Sequence, residues 1–462
     1  MVPNGKSSKG KLNLHALSLE KVNDHGNRVF YFKLAMYIVL LRVLLISWAV
    51  LFPDSKNFSS FLNVQVAPVV GIAGNDSHFY WLIATEWFTS DQKLVNFSPL
   101  FPSILFILKP MFGKFAPFLL NTACLSLTPP FLFGFLKNVI HDDNTAKTIA
   151  IGVLCNPIFI SYASYGLTEP LHFLLLFIAL NAHYKLGRWN KVVECIALSL
   201  VVLNRFVGVL IIVFYGFKAL MQHGISIKER AVILLPAMAP VITYFGWEII
   251  ANILFGITPS NAREIYWNHH FNFNPLTPEF AMQLPILVSG AVICVLLLAS
   301  WRKGRTRSST EDVAGKVLSI EHDTFKRLDI QALIAYAAAT LLFLGCFNKQ
   351  ISILRYIGTL FPLFMVLYIP LPSSPSLRLV SFGVQQGMII AHLLAFPVIA
   401  AGVPHFSLSF IEILLLYLLT AISIVLASLF YMKPGYFDSL NRVFLIHASL
   451  AFLVLPLTIY FP

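Results

Sequence analysis

Charge is what this sequence has least of. Asp, Glu, Lys and Arg together make up 12% of the 462 residues, about half of the roughly 25% found in an ordinary soluble domain. That scarcity excludes a soluble enzyme. Acidic residues are the scarcer sign, 21 against 33 Lys and Arg. Cysteine is also rare: Cys124, Cys155, Cys195, Cys294 and Cys346 lie singly inside apolar runs, with no CxxC or Cys/His ligand spacing. Neither a disulfide framework nor a zinc site is indicated. Low-complexity tracts are few and aromatic residues reach 14%, which removes the disordered and fibrous classes as well.

Long apolar runs are what the chain has instead. Hydrophobic residues make up 57% and the mean hydropathy is +0.76. At roughly 20 residues per spanning helix there is room for about a dozen passes. The first run is Tyr31 to Phe52, and others recur at about 99–113, 115–136, 148–165, 170–184, 192–217, 231–255, 282–300, 330–346, 356–371, 379–402, 408–432 and 443–461. The run 99–113 is short for a span and carries Pro102, Lys109 and Pro110, so it is expected to lie on the membrane face. The run 192–217 is interrupted at Asn204-Arg205-Phe206-Val207-Gly208 and fits two half-length passes. The expected fold is an all-α polytopic membrane protein of about 13 transmembrane helices, with a loop-helix region between the first two spans.

Orientation follows from the cations. With the amino terminus inside, about 24 of the 33 Lys and Arg fall on cytosolic segments. The net charge of +12 is thereby explained as topology, and no nucleic-acid partner is expected. The expected organisation is a basic cytosolic tail at 1–30 and a single transmembrane domain at 31–462. That domain has luminal loops at 53–114 and 256–281 and a cytosolic loop at 301–328. The three Asn-x-Ser sequons, at Asn57, Asn75 and Asn96, all fall in the first luminal loop.

Candidate chemistry gathers on that outer face. Asp76 opens a helix in the first loop. An Asp there caps a helix in the ordinary case, and in the functional case it takes the proton from an incoming hydroxyl. His78, two residues on, is placed to meet a phosphate or solvent. Glu169 stands at a tight connection between two spans, before Pro170, where it either caps a helix or marks a site, since an acid at the rim of apolar spans is costly. Arg205 sits in an apolar run and needs either an anionic ligand or a carboxylate such as Glu169. The second loop holds Trp267, Asn268, His269 and His270; its aromatics suit interfacial anchors. The tandem histidines lack the carboxylate-rich neighbours of a metal motif, so no metal is expected. Lys349 and Arg355 flank a later outer loop, where Arg355 either serves the site or snorkels.

In this order the pieces resemble an integral-membrane glycosyltransferase of the C superfamily (GT-C), and more narrowly the GPI mannosyltransferase 2 family. The carrying residues are Asp76-Ser77 with Ile83-Ala84, Ser98-Pro99-Leu100-Phe101-Pro102, Tyr165 to Glu169, Arg205 with Gly208, Tyr266-Trp267-Asn268 before Phe271, and Arg355-Tyr356 with Pro362. The likeness runs over roughly residues 70 to 370. Asn75 stands where that family has an aromatic, Thr168 replaces its Ser, and Phe206-Val207 replace its Ser-Asn.

The resemblance implies an endoplasmic reticulum enzyme that transfers the second mannose from dolichol-phosphate-mannose to a GPI-anchor precursor, with inversion. Asp76 would be the base; His78, Glu169, Arg205, Trp267, Asn268, His269, His270 and Arg355 would bind substrate. It implies no cofactor, since the lipid-linked sugar is a co-substrate. The implied partners are that donor, a glycolipid acceptor, membrane lipids and a small accessory membrane subunit. Three other readings stay open from the residues: a transferase of another polyprenyl-phosphate sugar or acceptor, a membrane transporter with Arg205 binding an anion, and a non-catalytic subunit.

Overall fold

The computed structural model describes residues 27–40, 42–43, 76–89, 91–140, 143–154, 168–185, 187–222, 225–267 and 328–345. Among these residues every regular element is a helix. In chain order they are α1 (27–40), α2 (Asp76–Glu86), α3 (Leu100–Phe112), α4 (Ala116–Ile140), α5 (Asp143–Leu154) and α6 (Glu169–His183). There follow α7 (Arg188–Asn204), α8 (Ile212–Met221), α9 (Ile227–Phe255), α10 (Pro259–Trp267) and α11 (Leu328–Gly345). Short 3-10 turns at Gln92–Asn96 and Phe206–Ile211 join α2 to α3 and α7 to α8.

Several boundaries differ from the sequence expectation. Helix α1 is formed from residue 27, and Phe30 lies against Phe133 of α4 with ring centroids 5.7 Å apart. Helix α4 runs to Ile140 through Pro129 and Pro130, whose missing backbone donors membrane helices tolerate. The segment 53–114, expected to carry a loop-helix, contains α2 and α3, and the segment 256–281 contains α10. The break near Arg205 is present, as the sequence suggests. Helix α7 ends at Asn204, and its continuation is tightened into a 3-10 turn.

Apolar burial sets the order of packing. Helix α6 lies between α4 and α7, α9 packs on α7 and α8, and α8 packs on α11. Leu176, Phe177, Leu180, Leu198, Val201 and Phe214 are fully buried in this stack. Helices α4 and α6 run side by side in the same direction. Phe135, near the end of α4, is level with Phe177 and Tyr184, near the end of α6, at 5.8 and 5.9 Å. Antiparallel helices meeting at that level would overlap too little to pack as extensively as these do. A methyl group on Gly134 would stand 2.7 Å from Asn181 Oδ1, so only glycine allows that approach. Helix α9 instead keeps Ile242, Phe245, Ile249 and Ile253 exposed, one apolar stripe at helical spacing. Helices α4 and α9, at 25 and 29 residues, are long and apolar enough to cross a bilayer.

Candidate active site

The described polar groups collect at the two ends of this stack. At the end where α6 begins, Glu169 is the first helical residue and Pro170 occupies the first turn, a position that needs no backbone donor. The Thr168 side chain makes no cap hydrogen bond. The Glu169 carboxylate does not cap the helix either: Oε1 accepts from Arg205 Nη1 across to the end of α7. Glu169 is fully buried and the Arg205 side chain is 11% exposed. Arg205 is held by its own backbone, whose N–H donates to Val201 O at 2.9 Å. Asn204 Nδ2 donates to Thr168 O at 2.9 Å. Gly208 is required here because a Cβ would fall 2.5 Å from Val201 Cγ1, so the turn folds directly onto the end of α7.

Around the pair lie buried polar atoms that the sequence reading did not single out. His172, one helical turn after Glu169, is fully buried. The Val201 carbonyl lies beside its ring without completing a hydrogen bond. Tyr336 of α11 is also fully buried, and both His172 and Tyr336 stand within electrostatic reach of Arg205. Glu169 Oε2, both ring nitrogens of His172, Asn204 Oδ1 and Tyr336 Oη have no hydrogen-bond partner. A polar step on an otherwise apolar α6, Glu169 then His172, is the signal from which His172 could have been found.

Next to this pair two segments far apart in sequence meet. The Gln92–Asn96 turn packs on α10: Arg263 Nε donates to Asn96 Oδ1 at 2.9 Å and Tyr266 Oη to Gln92 Oε1 at 3.0 Å. Arg263 also lies 5.6 Å over the ring of Phe206, the neighbour of Arg205. In the same turn, burial pushes the Asp91 carboxyl up. Lys93, through its ammonium at 2.9 Å and its backbone N–H at 2.9 Å, outweighs that and leaves the group below the usual carboxylate range. Asp76 and His78 both lie on α2, which packs on α3; their side chains are outside the described residues, as is that of Trp267, the last residue of α10. Asn268, His269, His270, Lys349 and Arg355 lie outside them entirely. Among the described residues no three His, Cys, Asp or Glu side chains converge as a metal site.

The opposite end carries a second network. His183 Nδ1 faces Glu194 Oε1 at 2.6 Å, and Lys218 Nζ meets His183 Nε2 at 3.0 Å. Tyr215 Oη donates to Glu194 Oε1 at 2.7 Å, Lys191 Nζ to Glu194 Oε2 at 2.7 Å, and Lys218 pairs with Asp329 at 2.6 Å. Because Lys218 can only donate, His183 Nε2 is the acceptor, and the imidazole is the neutral Nδ1–H form that donates to Glu194. Four helices, α6, α7, α8 and α11, are tied there.

No family model matches the sequence, and no curated protein matches it. Solved structures do match. A crystal structure of ArnT from Cupriavidus metallidurans bound to undecaprenyl phosphate is 15% identical with a TM-score of 0.50, covering 89% of this chain and 77% of that one. ArnT in the apo state is 15% identical with a TM-score of 0.47, covering 90% and 77%. At this identity the likeness is one of fold. The narrower GPI mannosyltransferase 2 assignment has no support from these structures. The chain, helical throughout its described residues, shares the fold of ArnT.

Proposed function

We propose that the protein is a glycosyltransferase that takes a sugar from a polyprenyl-phosphate carrier and passes it to an acceptor hydroxyl at the Glu169 end of the bundle. The observation that carries this reading is a buried ionic and hydrogen-bonding centre, Glu169–Arg205 with His172 and Tyr336 beside it, in a fold shared with a protein crystallised with undecaprenyl phosphate. A membrane bundle retains such costly groups where polar chemistry is done.

In this reading Asp76, at the start of α2, accepts the proton of the attacking hydroxyl. That oxygen forms the bond to the anomeric carbon from the side opposite the phosphate, and the carbon–oxygen bond to the phosphate breaks with inversion. The leaving phosphate carries its charge away and is stabilised by cations on that face. His78, Trp267, Asn268, His269, His270 and Arg355 complete the substrate-binding set. The donor is dolichol-phosphate-mannose and the acceptor a GPI-anchor precursor that receives its second mannose on the luminal face of the endoplasmic reticulum, with the amino terminus cytosolic. The residue resemblance over 70–370 supports this finer assignment.

The test is transfer of labelled mannose by the purified full chain from dolichol-phosphate-mannose to a mono-mannosylated glucosaminyl-inositol lipid. Transfer to that lipid establishes the narrow reading. Transfer from another polyprenyl-phosphate sugar, or to another acceptor, keeps the general one and removes the narrow one. An absence of transfer from every lipid-linked sugar, in protein shown to be folded, rejects both.

A further inference from the structure

The Glu169 carboxylate already engages Arg205, so a lipid phosphate entering the bundle needs another cation. Arg42 follows α1 in the sequence and is 1% exposed. Its Nε donates to Thr122 Oγ1 at 2.8 Å, and the same hydroxyl donates to Phe118 O at 2.7 Å. The guanidinium carbon lies 4.8 Å above the centre of the Phe118 ring. One edge of the fork is therefore fixed, by a hydroxyl that has spent its own proton elsewhere.

The other edge is unmet. Neither Nη1 nor Nη2 has a hydrogen-bond partner, and no ion pair reaches the group among the described residues. Among the described residues Cys124 is the one titratable neighbour within its electrostatic reach. A buried guanidinium without a counter-charge is among the most costly arrangements in a bilayer. Glu169 and Glu194, by contrast, are both paired. The shape of the unmet edge, two parallel N–H groups in a plane, suits an oxyanion that accepts from both.

Place agrees with chemistry. Thr122 lies about 9 Å along α4 from Ala116. Helices α4 and α6 run in the same direction, which puts the Arg42 fork toward the Glu169 end. We propose that Arg42, fixed by Thr122 and Phe118, is a receptor for the phosphate group of a membrane lipid. If the chain is a transferase as read above, its occupant is the polyprenyl phosphate; the alternative source of the same chemistry is an ordinary anionic phospholipid.

Binding, rather than turnover, tests this. The full chain in lipid nanodiscs is titrated with dolichyl phosphate and, separately, with phosphatidic acid, for the wild type and for Arg42→Met, Arg42→Lys and Thr122→Val. Arg42→Met should lose roughly tenfold or more in dolichyl phosphate affinity without a lower melting temperature, since it removes a charge-assisted contact and an unpaired charge together. Arg42→Lys should keep part of the affinity, because it keeps the charge but not the fork. Thr122→Val should lose roughly two- to tenfold through a misplaced fork.

Unchanged affinity in Arg42→Met, or a wild type that binds neither lipid, overturns the proposal. If Arg42→Met does not fold, the other two variants decide: full affinity in both overturns it, reduced affinity in either supports it. Preference for dolichyl phosphate names the polyprenyl carrier as occupant, and equal binding of phosphatidic acid names a phospholipid. Arg42-dependent binding without sugar transfer would leave this site standing and reject the transferase reading. Transfer that survives Arg42→Met with unchanged affinity would do the reverse.

Discussion

Glu169 opens α6 and Arg205 closes α7, and their ion pair is made where the two helices meet, with the carboxylate fully buried. Arg205 thus has a protein partner of its own. Breaking one side of a buried pair costs about 3–5 kcal/mol, because the other charge is left stranded. Glu169→Gln and Arg205→Met are each expected to lower the melting temperature, and the double variant should lose less than the two single losses combined. Additive losses would mean that the pair carries no coupling. Arg205→Met with normal stability and weaker donor binding would instead assign the guanidinium to the donor phosphate.

Asp76→Asn keeps the size and shape of the first residue of α2 while removing its carboxylate. If Asp76 is the base, turnover should fall by roughly 10² to 10⁴-fold with melting temperature and donor affinity near wild type. Normal turnover by the folded variant removes Asp76 from the chemistry.

At the other end, Lys218 joins His183 to Asp329. Lys218→Met should destabilise the protein by about 3 kcal/mol or more, since it strands Asp329 and leaves His183 Nε2 without a donor. Adding Asp329→Leu should restore part of the loss. Denaturation of the three proteins in detergent measures this, and a double variant less stable than Lys218→Met would refute the clasp.

Asn96 heads a sequon, yet its side-chain oxygen accepts from Arg263, and the following Phe97 and Ser98 are 5% exposed. A glycan there would have to break the contact between the Gln92–Asn96 turn and α10. Asn96→Gln expressed in a glycosylating host should therefore show no loss of glycan mass. A glycopeptide carrying sugar at Asn96 would show that these two elements part in the cell. Arg263→Ala should loosen the same contact, worth about 1.5–3 kcal/mol for a hydrogen bond from a charged group.

The helical class and the break at Arg205 were legible because they rest on local signals: apolar run length, and a charge that hydrocarbon does not tolerate. The run 99–113 was legible as short for a span, and it forms a 13-residue helix, Leu100–Phe112, with Phe106, Ile107 and Met111 exposed. The expected alternative of an Arg205–Glu169 pair was also open from residue types alone. The His183–Glu194–Lys218–Asp329 network was not legible. Lys218 and Asp329 read as loop charges near span ends, and nothing in the chain says that residues more than a hundred positions apart will share one buried contact. Arg42 was visible as a charge inside the first span, but its unmet edge exists only once Thr122 and Phe118 are brought beside it.

Helices α6 and α7 are fastened at both ends, by Glu169–Arg205 at one and His183–Glu194 at the other. Sliding one past the other by a single turn, about 5.4 Å, would rupture both fastenings at once, so the two behave as one strut with no give along its length. If the protein takes a lipid-linked donor as proposed, that carrier would have to reach the Glu169 end without prising this strut apart. Its doorway would then lie along some other seam of the bundle.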